Sequence, residues 1–133
     1  MGILSILVAA AAAWLFGALW YMTLSKPWLE AVSRDWGPDR RLDNRNPVPF
    51  ILSAVAMIVV AGMMRHVFAM AGIASWDAGL IAGLGVGAFF ITPWIVINNA
   101  YPGRPFLLSV IDGGYAIIGC GLIGLVLSLF HGS

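Results

Sequence analysis

The sequence predicts an all-α integral membrane protein: four transmembrane helices in a bundle, with a short amphipathic surface helix in the first loop. Three observations predict it. Of 133 residues, 61% are apolar and 10% are charged, where a soluble domain carries about 45–50% and about 25%. The apolar residues gather into four runs, each close to the roughly 20 residues that a helix needs to cross a hydrocarbon core about 30 Å thick. The runs also lack the alternation of a membrane barrel strand, and a helix satisfies its own backbone in lipid where an open strand does not. The same composition excludes disorder, which needs low hydrophobicity and high charge. A net charge of +1 gives no field for a polyanion, so no nucleic-acid partner is expected.

The first run, residues 3–24, holds no charge. A cleaved signal peptide carries Lys or Arg ahead of a shorter apolar core. None precedes this run, which therefore reads as a retained helix. The start Met1-Gly2-Ile3-Leu4-Ser5-Ile6 has Ile6 where N-myristoylation requires Ser or Thr. Ala9, Ala13 and Gly17, four apart, make a small-residue stripe for helix packing.

In the loop over residues 25–49, Ser25 can cap a helix, and Pro27 is tolerated in its first turn. Trp28, Val32 and Trp36 recur every four residues, Leu29 widens their stripe, and Glu30 and Arg34 can pair on another face. This pattern predicts an amphipathic helix on the membrane surface, anchored by Trp28 and Trp36; a docking element for a partner is the alternative. Gly37-Pro38 ends it, a charged stretch follows, and Pro47 and Pro49 lead into the second span.

The second run covers residues 50–71 and is interrupted near its end by Arg65 and His66. Arg65 can reach the interface along its aliphatic stem. The third, residues 78–97, is uncharged and carries Gly79, Gly83 and Gly87 along one face. Such a face admits a close neighbour, either within the bundle or on a second copy of the chain. The fourth, residues 106–130, is rich in glycine and holds one charge, Asp112.

Lys26, Arg34, Arg40, Arg41 and Arg45 lie in the first loop, and Arg104 lies between the third and fourth runs. The positive-inside rule puts both segments in the cytoplasm and both termini outside.

An intramembrane carboxyl group is costly and invites a functional hypothesis. Asp112 stands six residues past Phe106, roughly 9 Å along its helix, inside the hydrocarbon on the loop side. Trp20, Tyr21, Asn98, Asn99, Arg104 and Tyr115 fall at similar depth. Together they form either a structural lock or a small pocket for a headgroup, an ion or a proton. No His, Cys or acidic set has metal-ligand spacing, no phosphate loop or nucleophilic triad is present, and the one cysteine, Cys120, forms no internal disulfide. No cofactor, metal or catalytic residue is expected.

Gly17-Ala18-Leu19-Trp20-Tyr21, Lys26-Pro27-Trp28, Asn98, Arg104 and Ile111-Asp112-Gly113-Gly114-Tyr115 occur in this order. In these motifs the chain resembles a bacterial membrane family, domain of unknown function 1761, over almost its whole length. It departs from that pattern after Trp20-Tyr21, where Met22-Thr23-Leu24-Ser25 replaces a turn containing Ser-Pro. The resemblance implies a four-helix protein of the bacterial inner membrane and supplies no reaction.

Three functional classes follow. The first is a non-enzymatic accessory or scaffolding subunit, packing against itself as a homo-oligomer or against a larger membrane complex. The second is a small oligomeric transporter or channel with Asp112 as a proton- or cation-coupled site. The third is a lipid-modifying enzyme using Asp112 and Tyr115, which lacks a visible nucleophile–base pair. The expected partner in every case is the lipid bilayer.

Overall fold

The computed structural model describes residues 2–28, 30 and 47–130. Their order is α1 (Gly2–Thr23), α2 (Val48–Ala71), α3 (Trp76–Gly85), a π-helical turn (Val86–Ile91), α4 (Thr92–Ala100) and α5 (Phe106–Leu129). The described residues contain no strand. Four helical stretches are long and apolar enough to cross a membrane: Gly2–Thr23, Val48–Ala71, Trp76–Ala100 and Phe106–Leu129. The third span is thus α3, the π turn and α4 in series.

Each boundary has a local cause. α2 starts with Pro47 at its N-cap position and Pro49 in its first turn, where a missing N–H costs nothing. It ends at Gly72, whose φ of 73° is left-handed and suits glycine; the Ile73 N–H reaches back to the Phe68 carbonyl at 3.0 Å. The link from α4 to α5 turns through Gly103 at φ 77°, and Arg104 N–H bonds the Asn99 carbonyl at 2.9 Å. The π turn sits immediately ahead of Thr92-Pro93. Pro93 has no N–H and its ring crowds the carbonyl four residues back, and widening the helix by one residue relieves this. Thr92 then donates both its backbone N–H and its hydroxyl, the latter at 2.6 Å, to the Gly87 carbonyl.

α5 is the central helix. Of its 24 residues 11 are buried, against 3 of the 24 in α2. α1 and the third span both pack on α5, while α2 packs on α1 and touches α5 less. Ala9 and Ala13 of α1, Ala61, Met64 and Phe68 of α2, and Cys120, Ile123 and Leu127 of α5 form the core. Outward faces carry Leu15, Leu19, Val59, Phe89, Phe90 and Trp94. In water this would be an aggregation hazard; in lipid it is the solvent-facing surface.

In lipid, helices associate through close packing and hydrogen bonds rather than by burying apolar area. The Gly79, Gly83 and Gly87 face illustrates this. All three are buried, and they lie against the α5 backbone at Gly124, Cys120 and Ala116. A Cβ on Gly79 would fall 2.6 Å from the Gly124 carbonyl oxygen. The chain therefore uses this face for its own third–fourth hairpin, which removes it as a contact between copies.

Of the expected surface helix, residues 25–28 and 30 are helical. Leu29, Val32, Arg34 and Trp36 lie outside the described residues, as do the Gly37-Pro38 break and the arginines at 40, 41 and 45. Trp28 packs edge-on to Tyr21, ring centroids 6.0 Å apart. It therefore abuts the end of α1 as well as starting the expected amphipathic stripe.

Candidate functional site

The polar residues at the loop end gather on the seam between α1 and α5. Tyr21 sits in the last turn of α1 and donates its hydroxyl to Asp112 Oδ1 at 2.5 Å, a charge-assisted geometry if the carboxylate is ionised. One residue back, Trp20 Nε1 donates to the Ile111 carbonyl at 2.9 Å. One turn further into the membrane, Tyr115 Oη donates to the Ala13 carbonyl at 3.3 Å and lies 3.4 Å from Met57 Sδ of α2. Each bond joins residues on different helices, and each uses a donor that would otherwise be costly in hydrocarbon.

The rings carrying these hydroxyls also pack on one another. Tyr21 meets Tyr115 edge to face with centroids 5.6 Å apart. Phe16 stacks on Tyr115 at 6.1 Å and tilts against Trp20 at 5.7 Å. With Trp28 on Tyr21, five rings run continuously between α1, α5 and the start of the first loop. Glycines make the room: Gly17 faces the Tyr115 ring, where an added Cβ would come within 2.8 Å, and Gly114 faces the Trp20 ring at 2.7 Å.

A second group ties α4 to α5. Asn99 is buried and donates Nδ2 to Ser109 Oγ at 3.2 Å. Arg104 Nη1 donates to Asn99 Oδ1 at 3.3 Å. Thr92 adds a third tie, its hydroxyl lying 3.4 Å from the Gly113 carbonyl.

Asp112, Tyr21, Trp20 and Tyr115 thus share one seam, and Arg104 and Asn99 share the adjoining one. Asn98 stands apart, on the exposed side of α4. Ala9, Ala13 and Gly17 are buried on the face of α1 that meets α2 and α5. Trp36 lies outside the described residues. His66 is exposed, and His131 is outside the described residues.

Sequence reasoning passed over Phe16, Ser109, Thr92 and the pair Trp14–Ser53, whose Nε1–Oγ bond of 2.9 Å ties α1 to α2. Ser109 carried a signal, standing three residues before Asp112 and so near it on the helix surface. Phe16 carried none, being one of many apolar residues in an apolar run.

Chemically, the cluster is one carboxyl group, two phenols, two indoles, an amide and a guanidinium. Among the described residues no three His, Cys, Asp or Glu side chains come together in a way that could hold a metal ion. The arrangement can hold a proton between Tyr21 Oη and Asp112, and it can join helices.

The model of the family described as Protein of unknown function (DUF1761) matches residues 4–128, and the chain belongs to that family. No curated protein and no solved structure matches it.

Proposed function

We propose that this chain is a non-enzymatic accessory or scaffolding subunit of the bacterial inner membrane, in which Asp112 is a structural lock. The observation that carries the reading is the Tyr21–Asp112 bond, set among Trp20–Ile111 and Tyr115–Ala13 on the same seam. The polar and aromatic groups on this seam are engaged in fastening α1 to α5. A group spent on fastening helices is unsuited to repeated binding and release of an ion. The basic residues at the loop end support placing that end in the cytoplasm and both termini outside.

The scaffolding part of the proposal rests on the lateral faces of the second and third spans. Phe89, Phe90 and Trp94 stand 79%, 69% and 67% exposed along the third span. These rings offer lipid or a neighbouring subunit a broad apolar surface without competing with the internal glycine seam. Association with itself or with a larger complex would use this surface.

The test is Asp112→Asn, purified in mild detergent and also reconstituted in vesicles. A lock predicts a modest loss of thermal stability, unchanged co-purifying partners and no change in proton flux. The transporter reading predicts intact stability with loss of proton-linked uptake, and that outcome would overturn the proposal. A small oligomeric transporter or channel coupled through Asp112 is the reading that would then replace it.

A further inference from the structure

At the opposite end of the bundle, where α1 begins and α5 ends, the side chains enclose rather than fasten. Ser5 of α1, Arg65, Phe68 and Ala69 of α2, Ile73 of the following turn, and Leu127, Ser128 and Phe130 at the end of α5 line a cavity of about 170 Å³. Nothing in the Tyr21–Asp112 seam reaches it.

Arg65 dominates its chemistry. Its Cα stands six residues before the end of α2, roughly 9 Å into the span, and its aliphatic stem carries the guanidinium out to the level of Gly2, where α1 begins. Its guanidinium does not point to a carboxylate: the described residues provide it with neither a salt bridge nor a hydrogen bond. It lies instead over Gly2, the guanidinium carbon 2.9 Å from where a Gly2 Cβ would stand. Gly2 opens α1, so the guanidinium lies over the first residue of that helix, at the mouth of the cavity.

The rest of the lining fits an anion with an apolar part. Ser5 and Ser128 are buried and donate to the Gly2 and Gly124 carbonyls of their own helices; either hydroxyl can turn its proton to an oxyanion. Phe68, Ile73, Leu127 and Phe130 form the apolar wall. The volume holds a tetrahedral oxyanion together with part of the group that it esterifies. Arg65 is exposed on its outer side, so the cavity is open to a ligand arriving from the headgroup layer or from solution.

We propose that this cavity binds a phosphate-class oxyanion through the Arg65 guanidinium, with the Phe68, Ile73 and Leu127 side chains against the ligand's apolar part. The phosphodiester of an anionic lipid headgroup and free inorganic phosphate share this chemistry. A guanidinium fork suits both, and a ligand bound only by the folded state raises the melting temperature.

The full chain, purified in a neutral sugar detergent, is melted with phosphatidylglycerol, with diacylglycerol of the same chains, or with inorganic phosphate. The expected result is a concentration-dependent rise in melting temperature with a phosphate-bearing probe and none with diacylglycerol. A rise with phosphatidylglycerol alone assigns the cavity to a headgroup, and a rise with inorganic phosphate assigns it to the free ion. Arg65→Gln should weaken the apparent affinity by about tenfold or more, the scale of a lost hydrogen bond to a charged group. Ile73→Trp, which fills the cavity and leaves Arg65 in place, should do the same and decides the matter should Arg65→Gln not fold. An equal rise with diacylglycerol, no rise with either phosphate probe, or a folded variant of either kind that keeps the full shift would overturn the proposal.

Discussion

The two seams of α5 are built on opposite principles. Toward the third span, Gly79, Gly83 and Gly87 let backbone meet backbone, and no side chain larger than a hydrogen fits between them and Gly124, Cys120 and Ala116. Toward α1, large rings fill the gap and their polar tips bond across it, Tyr21 to Asp112 and Trp20 to Ile111. One seam is specified by what it excludes, the other by what it pairs. In lipid both succeed, because neither relies on water to drive the helices together. They differ in how they fail. Steric intrusion at the first displaces whole helices; loss of one bond at the second leaves the rings still packed.

The largest effect should therefore come from Gly83→Leu. Its side chain would enter the Cys120 and Gly121 backbone, and no rotamer avoids a helix that cannot yield. The expected cost is about 3 kcal/mol or more, at or above the usual range for overpacking, read as loss of folded protein in a detergent melt. A stable Gly83→Leu with a changed oligomer mass would instead mark the face as a contact between copies.

Gly17→Ala should come next. The new methyl group meets the Tyr115 ring, which can tilt away at the expense of its bond to the Ala13 carbonyl. The expected loss is about 1–3 kcal/mol, with a change in near-ultraviolet circular dichroism as the ring moves. Asp112→Ala leaves the Tyr21 hydroxyl without its acceptor and should cost about 1–3 kcal/mol, and Asp112→Asn, which keeps a carbonyl there, about 1 kcal/mol. A wild-type melting temperature for Asp112→Ala would show that the seam does not depend on the bond. Trp14→Phe removes the bond to Ser53 between α1 and α2 together with part of the ring's packing; the bond's share should be about 0.6 kcal/mol, the mean for hydrogen bonds between membrane helices.

What the sequence discloses about these seams divides along physical lines. Hydrophobic length gives the spans, and counting 1.5 Å per residue gives depth, so Tyr21, Arg104, Asp112 and Tyr115 could be placed at one level before any coordinates. Depth is one coordinate, however, and rotation about each helix axis is another. Asn98 and Asn99 are adjacent in sequence and about 100° apart around the helix. One is exposed and the other is buried against Ser109. An all-round apolar helix carries little moment to fix that angle, which is why Phe16 passed unnoticed and why the glycine face of the third span could equally have met a second copy. Pro93 is a signal of irregularity in the third span, one that sequence reasoning passed over in reading the run as a single regular helix. That the irregularity is a π turn closed by the Thr92 hydroxyl required the structure. The Arg65 cavity is a further case. Its residues come from four segments, and their meeting at one end of the bundle depends on which helices are neighbours.

The measurement closest to the heart of this reading is a double-mutant cycle on Tyr21→Phe and Asp112→Ala, each of which removes one partner of the bond, with unfolding free energies taken in detergent. If the phenol and the carboxyl group fasten α1 to α5, their losses are non-additive by about 0.6–2 kcal/mol, from the mean to the top of the range for hydrogen-bonded membrane helices. Losses that simply add would show that the two groups sit together without holding anything, and the lock would have to be abandoned.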